Sequence, residues 1–174
     1  MTSKVLYTAA EIEKAIGRLV EAVLARPEPP VLVGIHTHGV PLAHRLAAGI
    51  EKRIGSRPID GTVDITLYRD DLAGRALPQV KGSDVPDDIE GKRVVLVDDV
   101  LFTGRTIRAA LTELADYGRP QRIELCVLVD RGLRELPIAA DYVGFTVATK
   151  PTQKIRLSLT ETGAPQDQIE LIGA

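Results

Sequence analysis

The chain has no tryptophan, a single cysteine and only 3% aromatic residues among its 174 positions. One cysteine excludes an intramolecular disulfide framework and any cysteine-based zinc cluster. Cys126 sits in an apolar run and reads as a small buried residue. With so few aromatics, Val, Leu, Ile and Ala must fill the core of a chain that is 44% hydrophobic. No apolar run approaches the roughly 20 residues of a membrane helix. The segment Met1 to Tyr7 lacks the long apolar stretch of a secretion signal, so a cytoplasmic protein without membrane contact is expected. Two nucleotide-binding signatures are also missing: there is no Gly-x-x-x-x-Gly-Lys-Ser/Thr and no Gly-x-Gly-x-x-Gly.

Neither sign of charge dominates, with 22 Lys+Arg against 24 Asp+Glu and a formal net charge of −2. That balance excludes a surface that grips nucleic acid on all sides. The charge is nevertheless uneven. Met1 to Pro58 carries 8 basic and 5 acidic residues, Ile59 to Gly118 carries 7 and 12, and the remainder carries 7 and 7. The acidic excess lies in the middle.

The length suits one compact domain, 1–174. Thr8-Ala9-Ala10-Glu11 fits a capping box, and Ile12, Ile16, Leu19, Val20 and Val23 follow at helical spacing until Pro27. Val31–Ile35 reads as a buried strand, Val40–Ile54 as a helix and Ile59–Tyr68 as an alternating strand. Arg69 to Pro86 is a long polar segment with Pro78 and Pro86, of the kind that carries function or moves. Val94–Val97 and Ile123–Val129 read as buried strands around a helix, Thr103–Tyr117, and Tyr142–Val147 and Lys154–Leu159 as short strands. Strands alternating with helices imply an α/β fold with a mainly parallel sheet covered on both faces.

The chemistry concentrates in Val94-Val95-Leu96-Val97-Asp98-Asp99-Val100-Leu101-Phe102-Thr103-Gly104-Arg105-Thr106. A buried strand delivers two adjacent carboxylates to its carboxyl end, where parallel α/β sheets bind ligands. Neighbouring carboxylates accept hydrogen bonds from vicinal hydroxyls and favour a nearby Mg²⁺, a hard cation that prefers oxygen. The Thr-Gly-Arg-Thr loop opens a helix, whose N-terminal amides and hydroxyls suit a phosphate. Diol acceptors beside a phosphate cradle describe a ribose 5-phosphate site. The bland alternative, a solvated strand end with Thr103 as a plain N-cap, does not account for the whole arrangement.

This stretch resembles the phosphoribosyl pyrophosphate (PRPP) motif of the type I phosphoribosyltransferases. More narrowly, Asp64-Ile65-Thr66-Leu67-Tyr68-Arg69-Asp70-Asp71, Gly118-Arg119-Pro120, Leu128-Val129-Asp130-Arg131-Gly132 and Arg134-Glu135-Leu136-Pro137-Ile138 resemble the PyrR family of pyrimidine operon attenuators with uracil phosphoribosyltransferase activity. The resemblance implies the type I phosphoribosyltransferase fold, with a small hood and a flexible loop. It implies conversion of uracil and PRPP to UMP and pyrophosphate with Mg²⁺, the metal having no assigned protein ligand. Asp98 and Asp99 would hold the ribose hydroxyls, and Thr103, Gly104, Arg105 and Thr106 the 5-phosphate. His36, Thr37, His38 and Gly39 would form the pyrophosphate loop. Arg69 begins the flexible loop and joins Asp98 and Asp99 as a catalytic residue. Asp130, Arg131 and Val143 would belong to the hood that receives the base. The family also implies a homo-oligomer, a dimer or tetramer.

Two departures stand out. The pyrophosphate loop commonly reads Thr-Arg-Gly in the family but here Thr37-His38-Gly39; an imidazole near its reference pKa of about 6.5 is only partly charged at neutral pH. His36 and His38 as a metal pair would lack a third clustered ligand. The family also binds the pyr operon mRNA leader through a basic face, for which Arg18, Arg26 and Arg134 remain. Gly17, Glu21, Leu133 and Ala139 replace a Thr, two His and an Arg of that pattern. Phe102 stands where purine enzymes of the superfamily carry a third acid, which favours a pyrimidine. The leading expectation is therefore a uracil phosphoribosyltransferase; the alternative is mainly an RNA-binding regulator with weak catalysis.

Overall fold

A computed structural model of the chain describes residues 3–68, 80–86 and 89–173. Its centre is a five-stranded, wholly parallel sheet of β2 (Pro30–Ile35), β3 (Asp60–Val63), β4 (Arg93–Leu101), β5 (Arg122–Asp130) and β6 (Tyr142–Thr146), in the order β3-β2-β4-β5-β6. Two helices, α1 (Ala9–Leu24) and α2 (Gly39–Ile54), cover one face, and α3 (Arg105–Leu114) covers the other. The middle strand shows why. On β4, Val95 and Val97 join the core beneath α1 and α2, while Val94 and Leu96 join the core beneath α3. A strand buried on both faces is apolar without interruption, which is how this run reads in the sequence.

A second, three-stranded antiparallel sheet, in the order β1-β8-β7, is built from β1 (Ser3–Thr8), β7 (Lys154–Ser158) and β8 (Gln168–Ile172). Leu157, Leu159 and Ile169 bind it to the α1–α2 core. Arg45 of α2 adds an ion-pair clamp to Glu161 and Asp167, each at 2.5 Å. This sheet corresponds to the expected hood, with β1 and β8 as members that periodicity alone does not reveal.

Several boundaries differ from the sequence reading for local reasons. The Thr8 amide donates to the Glu11 carboxylate at 2.8 Å, so the helix begins as the capping box predicts. The strand predicted over Ile59–Tyr68 stops at Val63. There the Asp64 carboxylate accepts the Thr66 amide at 3.0 Å and the Thr66 hydroxyl at 2.5 Å, and Ile65–Tyr68 turns into a single 3-10 turn. The helix predicted over Thr103–Tyr117 starts at Arg105, because Gly104 caps it in a left-handed conformation with φ 94°. Among the described residues, no helix is long and apolar enough to cross a membrane.

One charged group is buried at the opposite end of the sheet from the acid pair. Arg93 and Glu124 are 2% and 3% exposed and pair at 2.8 Å. Arg93 also donates to Tyr142 Oη and to the carbonyls of Val23 and Glu28. The network ties β4, β5, β6 and the end of α1 together: Glu124 Oε2 accepts from Arg93 and Tyr142, while Oε1 has ion-pair contacts with Arg26 and Arg122 but no hydrogen bond.

Candidate active site

Three loops meet at the carboxyl ends of the parallel strands. Asp98 and Asp99 lie near the end of β4, within the strand and directly before the turn into α3. Asp98 is 6% exposed. Burial, and then the negative charge of Asp99, push the Asp98 carboxyl well above the usual carboxylate range. The Asp99 amide donates to Asp98 Oδ1 at 2.9 Å, and the Val100 amide to Asp99 Oδ1 at 2.8 Å, so backbone bonds orient both side chains.

The turn after β2 is pressed onto this pair. A Cβ on Gly39 would lie 2.3 Å from the Val97 carbonyl oxygen, and one on Gly34 would lie 2.6 Å from Val40 Cα. Neither position has room for a side chain. The close approach brings His38 Nδ1 to 3.0 Å from Asp99 Oδ2. The hydrogen bond to the Asp99 carboxylate raises the His38 imidazole above its ordinary value despite partial burial. His36 shifts down, chiefly because burial disfavours its charged form. Among the described residues, no group of three or more His, Cys, Asp or Glu side chains is placed to hold a metal ion.

The third loop is stitched to its neighbour. The Thr103 carbonyl accepts from the Glu135 and Leu136 amides at 3.0 and 3.1 Å, and Thr103 Oγ1 accepts from the Arg105 amide at 3.4 Å. Gly104 faces Ile138 and Leu136 so closely that a Cβ would sit 3.3 to 3.4 Å from their side chains. Arg105 pairs with Glu135 at 2.8 Å. The amides at the start of α3 thus form a rigid, glycine-opened N-terminus.

The sequence-predicted base residues divide. Asp130 ends β5 and Arg131 follows it. Arg131 is 5% exposed, with its guanidinium stacked over the Phe102 ring at 4.0 Å, and it donates to Thr149 Oγ1 and to the carbonyls of Lys150 and Gln153. Phe102 is therefore one side of a cation–π stack beside the acid loop. Val143 lies on β6, paired with Val127 in the main sheet, and none of the three lies in the three-stranded sheet β1-β8-β7. Arg69 and the stretch from Asp70 to Gln79 lie outside the described residues.

The arginines expected on an RNA face are engaged within the chain. Arg134 donates to the carbonyls of Phe102 at 2.9 Å, Ile138 at 3.0 Å and Gly132 at 3.1 Å, and pairs with Asp130 at 2.5 Å. Arg26 pairs with Glu124 at 2.7 Å, and exposed Arg18 donates to the Gly144 carbonyl at 3.2 Å.

The chain matches the phosphoribosyl transferase domain family over residues 3–161. It is 50% identical to the Bifunctional protein PyrR of Chloroflexus aurantiacus over 175 residues, covering 98% of this chain and 96% of that protein. The chain belongs to the PyrR family. The Thermus thermophilus Bifunctional protein PyrR is 48% identical over 95% of this chain and 93% of its own length. PyrR relatives therefore match nearly the whole length of the chain rather than the motif alone. In three dimensions, the hypoxanthine phosphoribosyltransferase of Trypanosoma cruzi aligns with a TM-score of 0.72 at 20% identity, covering 97% of this chain and 95% of that one. A Bacillus anthracis hypoxanthine-guanine phosphoribosyltransferase aligns at 0.65 and 19% identity over 86% of each chain. At that identity the likeness is one of fold, the type I phosphoribosyltransferase fold.

Sequence reasoning singled out Asp98 and Asp99, the Thr103–Thr106 loop and the His36–Gly39 turn. It missed the packing role of Gly34 and the loop anchors Asp64, Lys81, Ser83 and Glu113. Asp64 stands in a segment quoted for the family resemblance, but nothing in its spacing says what it holds.

Proposed function

We propose that this PyrR-family protein transfers the phosphoribosyl group of PRPP to uracil, giving UMP and pyrophosphate. The observation that carries this reading is the contact of His38 with Asp99, which joins the turn after β2 to the acid pair directly beside the glycine-opened start of α3. Asp98 and Asp99 would hold the ribose diol, the amides and hydroxyls of Thr103 to Thr106 the 5-phosphate, and the His36–Gly39 turn the pyrophosphate. In the reaction, N1 of uracil forms the bond to C1 of the ribose. The C1–oxygen bond to pyrophosphate breaks with both electrons passing to that oxygen, and the N1 proton is lost.

The protein's part is positioning and electrostatics. Tight seating of Gly39 on Val97 fixes the leaving-group loop relative to the diol acceptors. The backbone bonds to Asp98 and Asp99 keep both carboxylates oriented before substrate arrives. Hard carboxylate oxygens at Asp98 and Asp99 suit Mg²⁺ brought in with PRPP. When bound, the ion neutralises charge on the departing pyrophosphate. Phe102, stacked against Arg131, offers no carboxylate to a purine ring nitrogen, which favours the smaller base.

The test is turnover with PRPP and Mg²⁺ across bases. Uracil should react far faster than hypoxanthine or adenine, and equal or greater purine turnover would refute the assignment. Regulation through a pyr operon mRNA leader is the family's second role. Because Arg134 and Arg26 are committed internally and Glu21 pairs with Arg53, we propose only weak, strongly salt-dependent affinity for it. Tight, sequence-selective binding at physiological salt would reverse that order of roles.

A further inference from the structure

The segment Val80–Pro86, the described end of the long polar stretch, returns beside β3. It is anchored on two sides. Asp64 accepts hydrogen bonds from the amides of Lys81 and Gly82, the latter at 3.1 Å, and its own amide donates to Ser83 Oγ at 2.8 Å. Ser83 Oγ in turn donates to Glu113 Oε1 on α3. Thr62 and Asp84 exchange a pair of backbone hydrogen bonds at 2.9 Å. Gly61 leaves room for this, since a Cβ there would lie 2.5 Å from both the Asp84 carbonyl oxygen and Pro86 Cδ.

Fixing the backbone at 81 and 82 also aims the Lys81 side chain. Its Nζ donates to Thr37 Oγ1 at 3.2 Å, in the middle of the His36–Gly39 turn. That turn contains two imidazoles and no Lys or Arg. An ammonium is a compact, fully charged donor that binds phosphate oxygens as a point charge. By accepting from Lys81, the Thr37 hydroxyl keeps its own proton available for a second phosphate oxygen.

We propose that Lys81 is a pyrophosphate-binding residue, its ammonium aimed by the Asp64 amide clamp to supply the permanent positive charge that the His36–Gly39 turn does not itself contain. The inference rests on the phosphoribosyltransferase reading of the site. Lys81 makes no covalent bond. It offsets the charge that collects on pyrophosphate as the C1–oxygen bond breaks, and Asp64 acts as a positioning residue.

The test compares wild type, Lys81→Met, Lys81→Arg and Asp64→Asn. Binding of inorganic pyrophosphate with Mg²⁺ is read by calorimetry, alongside KM for PRPP and for uracil. Lys81→Met should weaken pyrophosphate binding by on the order of ten- to a hundredfold and raise the PRPP KM, with the uracil KM and the melting temperature unchanged, since Lys81 is exposed. Lys81→Arg should recover most of the loss. Asp64→Asn should weaken pyrophosphate binding while leaving the uracil KM unchanged. Wild-type pyrophosphate affinity in Lys81→Met would overturn the inference and leave the site reading standing. Failure of the wild-type protein to bind either PRPP or pyrophosphate would overturn both.

Discussion

Gly39→Ala is a one-carbon perturbation whose effect can be worked from the coordinates. The added Cβ would lie 2.3 Å from the Val97 oxygen, 3.2 Å from the Val97 carbonyl carbon and 3.3 Å from Asp98 Cα. Ordinary non-bonded separations are about 3.5 Å, so the turn must withdraw from β4 by about 1 Å. Overpacking on that scale costs about 1–3 kcal/mol, and for a chain of this size each kcal/mol lowers Tm by about 2–4 °C. The same movement stretches the 3.0 Å contact of His38 with Asp99 and separates the His36–Gly39 turn from the acid pair. A misplacement of about 1 Å can cost about a hundredfold in rate. Thermal denaturation and uracil turnover measured on one preparation check both consequences. Gly17→Ala is the control: a Cβ on Gly17 meets nothing within 4 Å, so in mid-helix it should stabilise by about 0.5–1 kcal/mol and leave turnover alone. A Gly39→Ala protein with wild-type stability and wild-type turnover would refute the argument that close packing of this turn builds the site.

Three further outcomes concern Arg93, Arg134 and Cys126. Arg93→Met leaves the buried Glu124 carboxylate without its main partner and should cost about 3–5 kcal/mol in urea denaturation. Burial alone would raise the Glu124 carboxyl, but hydrogen bonds from Arg93 and Tyr142 outweigh it and hold it below the ordinary range. Its stabilising contribution is therefore present above the ordinary carboxylate pKa of about 4.3 and lost as pH falls through the folded value, so the deficit of Arg93→Met should narrow in acid. Arg134→Ala strands Asp130 and several backbone carbonyls and should destabilise by about 1–3 kcal/mol; unchanged stability together with lost RNA affinity would return Arg134 to the RNA face. The Cys126 thiol is pushed up to about 12 by burial, so it should resist thiol reagents at pH 8 until the protein unfolds, and rapid modification of the native protein would contradict its place in the core.

The central sheet and its acid pair are legible in the sequence because strands buried on both faces are uniformly apolar. Val94–Val97 ends in Asp98-Asp99 with no ambiguity of period. The hood strands β1 and β8 are not, because Ser3–Thr8 and Gln168–Ile172 are short and half-exposed, and each is defined by a partner from the other end of the chain. The break in the predicted strand at Asp64 depends on a side-chain-to-backbone bond that competes with the ladder. The sequence shows the His36–Gly39 turn but not that Gly34 and Gly39 press it against Val40 and Val97. Likewise Arg134 reads as a basic surface residue until its backbone acceptors are seen. What the sequence conceals here is contact between distant segments, and contact is what assembles the loops into one site.

The most direct test of the account is PRPP binding to Asp98→Asn and Asp99→Asn by calorimetry in the presence of Mg²⁺, with circular dichroism as the check on folding. Both variants should remain folded and lose most PRPP affinity, because each removes carboxylate character from the pair at the end of β4. Unchanged PRPP binding in either folded variant would contradict the assignment of that pair to the ribose diol.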